Sequence, residues 1–110
     1  DLLLGIGGAP EGVVTACAVQ ILGGFMQTRF APETPDEISR ALGANYDLER
    51  KFELDELVSG DQFIFVCTAI TDGPLARGVR ETEEFLEIQS FVLDSQLGDA
   101  RVLEVRVPKN

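Results

Sequence analysis

Residues 2–24 read LLLGIGGAPEGVVTACAVQILGG. A short apolar run over residues 2–6 is followed by turn residues, a pattern that predicts a strand buried on both faces. The turn Gly7-Gly8-Ala9-Pro10 leads into an apolar helix over residues 13–22, and Gly23 with Gly24 ends that helix. Proline suits the first position of a helix, because its missing N–H group would have no partner there. The stretch therefore predicts a strand, a glycine-rich turn and a helix.

The glycine-rich turn predicts an anion site. It leaves backbone N–H groups free at a helix N-terminus, and its glycines let a ligand approach the backbone closely. It is not a dinucleotide fingerprint, because the third glycine of that pattern would fall at Pro10. It also lacks the Lys-Ser/Thr pair of a Walker motif. The expected ligand is a sugar phosphate or another small anion.

Glu11 is the only charged side chain between Asp1 and Arg29, and it lies in the first turn of the predicted helix. Two interpretations stay open for it. The helix dipole alone favours a carboxylate there, but the same carboxylate is also a suitable ligand for Mg²⁺ or Mn²⁺. One carboxylate cannot build such a site. Asp72 could add a polar group at a sheet edge, or it could simply be a turn aspartate.

The remaining patterns predict a single α/β domain over residues 1–110, a mixed β-sheet with helices packed on its faces. The elements predicted after the first helix are a strand over residues 25–30, a helix capped by Thr34 and ending at Gly43, a short strand over residues 51–54, a helical turn over residues 55–58, a central strand over residues 62–70, a helical turn over residues 75–77, and an antiparallel hairpin of residues 85–94 and 101–107. The acidic residues near the hairpin are expected to form a solvated rim: Glu81, Glu83, Glu84 and Glu87.

Composition excludes several classes of partner. The chain has 19 acidic and 9 basic residues and a net charge of −10, without a basic cluster. This argues against binding to nucleic acid or to an anionic membrane. No run reaches transmembrane length, and we expect a cytoplasmic protein. Histidine is absent, which removes the usual general base. Cys17 and Cys67 lie in apolar runs and are expected to be buried thiols.

The sequence resembles the class II fructose-1,6-bisphosphatases, including the cyanobacterial type that also cleaves sedoheptulose bisphosphate. The specific part of the resemblance is DLLLGIGGAPEGVVTACAVQILGGFMQTRF, residues 1–30. It continues at residues 55–58, at FVCTAITDGPL over residues 65–75, and at residues 78–80. These matches correspond to about the C-terminal third of a family enzyme. The resemblance implies the C-terminal domain of the sugar-phosphatase fold of the lithium-sensitive phosphatase superfamily.

For the site, the resemblance implies that Glu11 is a ligand for Mn or Mg and that Gly8 lies against the substrate, with Gly7 and Ala9 beside it. It also implies that the other metal carboxylates and most substrate-binding residues lie upstream, outside this chain. The expected function is therefore the C-terminal part of a metal-dependent sugar-bisphosphate phosphatase, inactive alone, with Mn or Mg bound in the full-length family and none in this chain alone. The alternatives are a non-catalytic binding or oligomerisation module and a remnant without a role of its own.

The apolar character of residues 2–6 and 13–22 carries a further expectation about partners. These segments need cover on more than one side, and exposed apolar surface favours association. We therefore expect either a missing N-terminal domain or a homo-oligomer that buries this helix or a sheet edge.

Overall fold

A computed structural model describes residues 1–110 of the chain, which form two compact units, Asp1–Ser59 and Gly60–Asn110. The first unit contains α1 (Ala9–Ile21), β1 (Gln27–Thr28), α2 (Pro35–Gly43), β2 (Phe52–Glu53) and α3 (Leu54–Leu57). The second contains β3 (Ile64–Thr68), β4 (Arg80–Glu81), β5 (Phe85–Asp94) and β6 (Ala100–Pro108). The α/β class is confirmed, and all strand pairs are antiparallel. That residues 1–110 form one domain stays a prediction.

Helix α1 forms where the sequence predicts it, although it begins earlier, at Ala9. Gly8 is the N-terminal cap, and Pro10 lies in the first turn, as expected from its missing N–H group. After the helix, Gly23 adopts a φ of 71°, a left-handed conformation that glycine tolerates well. Ala16 is the only buried residue of α1. The helix therefore presents much apolar surface, because almost every other residue in it is also apolar or small.

The predicted strand over residues 2–6 is wrong. These residues have no regular secondary structure, and Leu2, Leu3 and Leu4 are 83% to 90% exposed. An extended segment becomes a strand only by hydrogen bonding to a neighbouring strand. No strand of this chain pairs with residues 2–6, so their apolar character alone does not produce one.

Local signals explain the rest of the first unit. Helix α2 begins with a complete capping box, in which Thr34 accepts a hydrogen bond from the Glu37 amide and Glu37 accepts one from the Thr34 amide. The strand predicted over residues 25–30 shrinks to β1, which pairs with β2 through Gln27 opposite Glu53 and Thr28 opposite Phe52. The helical turn predicted over residues 55–58 is present as α3.

The second unit is a four-stranded sheet centred on β5. This strand pairs with β6 along nearly its whole length, and with β3 and β4 along its other edge. The predicted hairpin of β5 and β6 is confirmed, and Gly98 in its turn has a φ of 71°. The predicted central position of β3 is wrong, because β3 pairs with β5 alone. Its continuous apolar sequence therefore belongs to a strand at the edge of the sheet.

Two smaller expectations also fail. Residues 75 and 76 form bends and residue 77 has no regular structure, so the helical turn is absent. The Arg77 amide donates a hydrogen bond to the side chain of Gln89 on β5 instead. Cys67 is exposed and Cys17 is partly exposed, and both thiols are free. The exposure of Cys67 follows from the edge position of β3, since a strand with one neighbour has less cover.

Candidate functional site

The turn before α1 has the geometry of an open helix N-terminus. Gly8 is extended, with a φ of −64° and a ψ of 151°, and its carbonyl oxygen accepts the first helical hydrogen bond, from the Gly12 amide at 3.0 Å. No side chain caps the first turn. The amides of this turn therefore have no side-chain acceptor, which is the arrangement that favours an external anion at the positive end of a helix.

The carboxylate of Glu11 lies against Gly8. A Cβ atom at position 8 would overlap Glu11 Oε2 and would stand 3.0 Å from Glu11 Cδ. The Glu11 side chain is exposed, and it forms no hydrogen bond or ion pair, whereas its backbone oxygen accepts a hydrogen bond from the Thr15 hydroxyl at 2.8 Å. Glu11 is thus an unpartnered carboxylate held beside a glycine backbone at the start of a helix.

The residues of this chain do not form a complete metal centre. Nowhere in the chain do three or more histidine, cysteine, aspartate or glutamate side chains group in a way that could hold a metal ion. Magnesium and manganese prefer several oxygen ligands at once. Glu11 is therefore not part of such a group within this chain.

Asp72 belongs to a loop clamp and does not present a free carboxylate. Its two oxygens accept hydrogen bonds from the Arg80 guanidinium, both at 2.9 Å, and Oδ1 also accepts one from the Gly78 amide at 2.9 Å. The Arg80 guanidinium, followed by the Gly78 amide, lowers the pKa of Asp72 below its usual value. The turn interpretation of Asp72 therefore fits the structure, and the metal interpretation does not.

The predicted acidic rim divides into paired and unpaired residues. Glu83 and Glu84 are exposed and form no ion pairs. Glu81 pairs with Lys109, which lowers the pKa of Glu81. The side chain of Glu87 is only 19% exposed and contacts two arginines, Arg77 at 3.5 Å and Arg106 at 3.3 Å. Glu87 is therefore part of a polar network and not of a solvated rim.

Sequence reasoning missed the centre of that network. Arg77 donates a hydrogen bond to Glu104 at 2.8 Å, and Gln89 donates one to the same carboxylate oxygen at 2.9 Å. Together with the contacts of Glu87, these contacts pair most of the charged side chains on one face of the sheet. The alternation of charged residues along β6 hints at such a face, but nothing in the sequence identifies Arg77 as the shared partner.

A shallow cavity of about 200 Å³ lies in the first unit and contains none of the predicted site residues. It is lined by Gln27, Thr28, Arg29 and Lys51. Gln27 donates a hydrogen bond to Glu53 at 2.6 Å, so a carboxylate is bonded to one of the lining side chains. The cavity is open and small, and it gives no reason to move the candidate site away from Gly8 and Glu11.

Comparison with known proteins places the chain in a family. The family model for "Bacterial fructose-1,6-bisphosphatase, glpX-encoded" matches residues 1–107. Fructose-1,6-bisphosphatase 2 class 2 of Escherichia coli K12 is 36% identical over 106 residues, which are 84% of this chain and 33% of that protein. Fructose-1,6-bisphosphatase class 2 of Haemophilus influenzae is 38% identical over 106 residues, which are 84% of this chain and 32% of that protein.

A third relative, from a Synechococcus strain, is named D-fructose 1,6-bisphosphatase class 2/sedoheptulose 1,7-bisphosphatase, and it is 36% identical over 115 residues. That match covers 93% of this chain and 33% of the relative. The chain thus spans about a third of the length of these curated relatives. None of its helices has the length and apolar character that crossing a membrane requires. The chain belongs to the family of glpX-encoded bacterial fructose-1,6-bisphosphatases.

Proposed function

We propose that this chain forms one wall of the active site of a class 2 bisphosphatase. The reaction would be hydrolysis of fructose 1,6-bisphosphate to fructose 6-phosphate and phosphate in the cytoplasm. The observation that carries this proposal is the unpartnered Glu11 carboxylate against Gly8, at a helix N-terminus without a side-chain cap. A phosphate ester and a metal ion need these two kinds of group side by side.

The chain's own residues would have two tasks. The backbone amides around Gly7, Gly8 and Ala9 would bind and orient a phosphate group, because they lie at the positive end of α1. The Glu11 carboxylate would supply one oxygen ligand to Mn or Mg, which when bound would neutralise phosphate charge. Since the chain contains no group of three metal-binding side chains, we propose that it is inactive alone and needs the part of the family protein that lies outside the match.

A chimera tests this proposal. The segment of the E. coli relative that matches this chain, 33% of its length, would be replaced by residues 1–107 of this chain. Phosphate release from fructose 1,6-bisphosphate would then be measured with Mn²⁺. The expected result is activity in the chimera, none in the isolated chain, and loss of at least a hundredfold in the Glu11→Gln chimera. Glu33→Gln is the matched control, because Glu33 is another exposed glutamate whose carboxylate makes no ion pair.

An inactive chimera that is folded and still binds the sugar phosphate would contradict the proposal, as would equal activity in the Glu11→Gln and unchanged chimeras. The second candidate function is a non-catalytic binding or oligomerisation module. The absence of a metal-binding group and the exposed apolar surface favour it. It predicts that the isolated chain associates or binds anions while the chimera stays inactive.

A further inference from the structure

The short ribbon of β1 and β2 brings two cations together. Its register includes Thr28 opposite Phe52, and the same antiparallel register, continued by one residue, sets Arg29 opposite Lys51. Residues directly opposite each other point to the same face of a ribbon. Both cations line the shallow cavity of about 200 Å³ in the first unit, which we call the ribbon cavity, and its lining residues are Gln27, Thr28, Arg29 and Lys51.

Neither of these two cations has an ionic partner within the chain, although 19 of its 110 residues are acidic. Lys51 differs in this respect from its neighbour Arg50, which pairs with Glu56. Like charges directly opposite each other on a ribbon repel, so this arrangement lowers the stability of the ribbon until an anion lies between the two side chains. The basic residues that do form ion pairs are Arg50, Arg77, Arg80, Arg106 and Lys109.

Glu53 is the acidic residue on the same face of the ribbon, two positions along the chain from Lys51. Its carboxylate accepts a hydrogen bond from the Gln27 side chain at 2.6 Å and makes no ion pair. The three charged side chains of this face therefore leave one net positive charge, in a chain whose net charge is −10. An anion that enters the ribbon cavity meets a locally positive surface, beside a carboxylate that is already hydrogen-bonded.

The lining groups suit a phosphate group better than a carboxylate. The guanidinium of Arg29 can donate two parallel hydrogen bonds to phosphate oxygens, and the ammonium of Lys51 supplies a second positive charge. A phosphate dianion neutralises both cations, whereas a carboxylate neutralises only one. Pockets for whole drug-sized ligands measure about 300 to 1,000 Å³, so the smaller ribbon cavity fits a single phosphate group and not a nucleotide.

We infer that the ribbon cavity binds a phosphate group between Arg29 and Lys51, either as free phosphate or as a small phosphate monoester. This site shares no residue with the turn that contains Gly8 and Glu11, and it does not depend on the proposed catalysis. Signals from residues 7–9 and from the ribbon report on the two sites separately, so either one can fail while the other holds.

A nuclear magnetic resonance titration of the whole chain tests the inference. Inorganic phosphate and fructose 6-phosphate would be added in separate experiments, each compared with sodium chloride at equal ionic strength, because salt alone screens exposed charges. We expect the amide signals of residues 28, 29 and 51, with the Arg29 side-chain Nε–H signal, to shift and to saturate in the millimolar range. Sodium chloride should produce only small shifts that do not saturate.

Two arginine variants make a matched pair for this titration. Arg29 and Arg40 are both exposed, lie in the first unit and make no ion pair, and glutamine at either position changes the net charge equally. We expect Arg29→Gln to weaken phosphate binding by at least about fivefold, and Arg40→Gln to change it by less than about twofold. Lys51→Gln should weaken binding like Arg29→Gln. Cross-strand signals between Thr28 and Phe52 would verify the ribbon in each variant.

Several outcomes would overturn the inference even if one variant did not fold. In the unchanged chain, the absence of saturating shifts at residues 28, 29 and 51 would do so. Equal weakening in Arg29→Gln and Arg40→Gln would reduce the effect to net charge. Acetate binding as tightly as phosphate would assign the two cations to a carboxylate instead. Similar affinities for inorganic phosphate and fructose 6-phosphate would assign recognition to the phosphate group, and tighter binding of the ester would add contacts with its sugar; both results support the inference.

Discussion

The Glu11 carboxylate occupies the space that a side chain at Gly8 would need. Glycine at position 8 and glutamate at position 11 are therefore one structural unit, in which the absence of a Cβ atom lets the carboxylate lie back over the start of α1. The sequence assigned Gly8 and Glu11 to the candidate site separately. The structure shows that the missing side chain at Gly8 leaves the space that the Glu11 carboxylate occupies.

The first prediction follows from this contact. In Gly8→Ala, the new methyl group would displace the Glu11 carboxylate, and because the far end of a glutamate moves easily, the helix itself should persist. We expect the Glu11 carboxyl ¹³C signal to shift, and Mn²⁺ to broaden it at least about threefold less at equal metal concentration.

Gly5→Ala is the control for that experiment, since a Cβ atom at position 5 meets nothing within 4 Å. It should leave the Glu11 signal and its response to Mn²⁺ unchanged. An unchanged Glu11 signal in Gly8→Ala would show that the carboxylate does not lie against the glycine in solution.

The second prediction concerns the capping box of α2. Removing the Thr34 hydroxyl in Thr34→Ala leaves the Glu37 amide without its acceptor at 3.2 Å, which should cost about 1 kcal/mol of helix stability. Hydrogen exchange at the Glu37 amide should accelerate about fivefold. Thr34→Ser keeps the acceptor and should exchange like the unchanged protein, so equal acceleration in both variants would contradict the prediction.

The third prediction concerns the pH response of the same capping box. The amides of Glu33 and Thr34 donate to the Glu37 carboxylate and lower its pKa. Because the folded pKa lies below the unfolded one, this stabilisation is complete above the unfolded pKa, about 4.3, and is lost as pH falls through the folded pKa. A ¹³C titration should give Glu37 a lower pKa in the folded chain than in a peptide of residues 30–45 under denaturing conditions. An equal pKa in both would assign the lowering to sequence alone and contradict the prediction.

The fourth prediction separates the loop clamp from the general acidity of the chain. In Arg80→Gln, Asp72 loses the guanidinium that lowers its pKa most, so its pKa should rise toward the usual value while the Gly78 amide keeps it slightly lowered. Arg101→Gln removes an arginine without an ion pair and should leave the Asp72 titration unchanged. Equal shifts of the Asp72 pKa in both variants would mean that this pKa depends on the net charge of the chain and not on the hydrogen bonds from Arg80.

Local signals made part of this structure predictable. The Thr34 to Glu37 capping box, the proline of α1 and the alternation along β6 each act within a few residues, so the sequence alone locates α2, α1 and the hairpin. Such signals need no knowledge of distant partners. The start of α1 at the glycine-rich turn, with Glu11 in its first turn, was predictable for the same reason, whereas the anion site there stays a prediction.

Long-range pairing was not predictable. Residues 2–6 and β3 have similar apolar sequences, yet one forms no strand and the other forms an edge strand, because each outcome depends on which neighbour is available. The clamp between Asp72 and Arg80 joins residues eight positions apart across a loop that sequence reasoning expected to be helical in part. Side-chain partners of this kind follow from the path of the backbone, which residue types alone do not determine.

The fifth prediction uses two glycines of that loop. A Cβ atom at Gly78, which is buried, would stand 2.6 to 2.8 Å from backbone atoms of Thr71, Ile70 and Asp72. Backbone atoms of a packed loop cannot move aside cheaply, so Gly78→Ala should lower the free energy of unfolding by about 1 to 3 kcal/mol.

Gly73→Ala is the matched control, because it lies in the same loop and a Cβ atom there meets nothing within 4 Å. Urea unfolding followed by far-ultraviolet circular dichroism would measure both variants. Gly73→Ala should change the free energy by less than about 0.5 kcal/mol, and the Gly78→Ala loss should be accompanied by a raised pKa of Asp72, since the Gly78 amide would move from the carboxylate. A stable Gly78→Ala variant with an unchanged Asp72 titration would show that this loop is not closely packed on its own backbone.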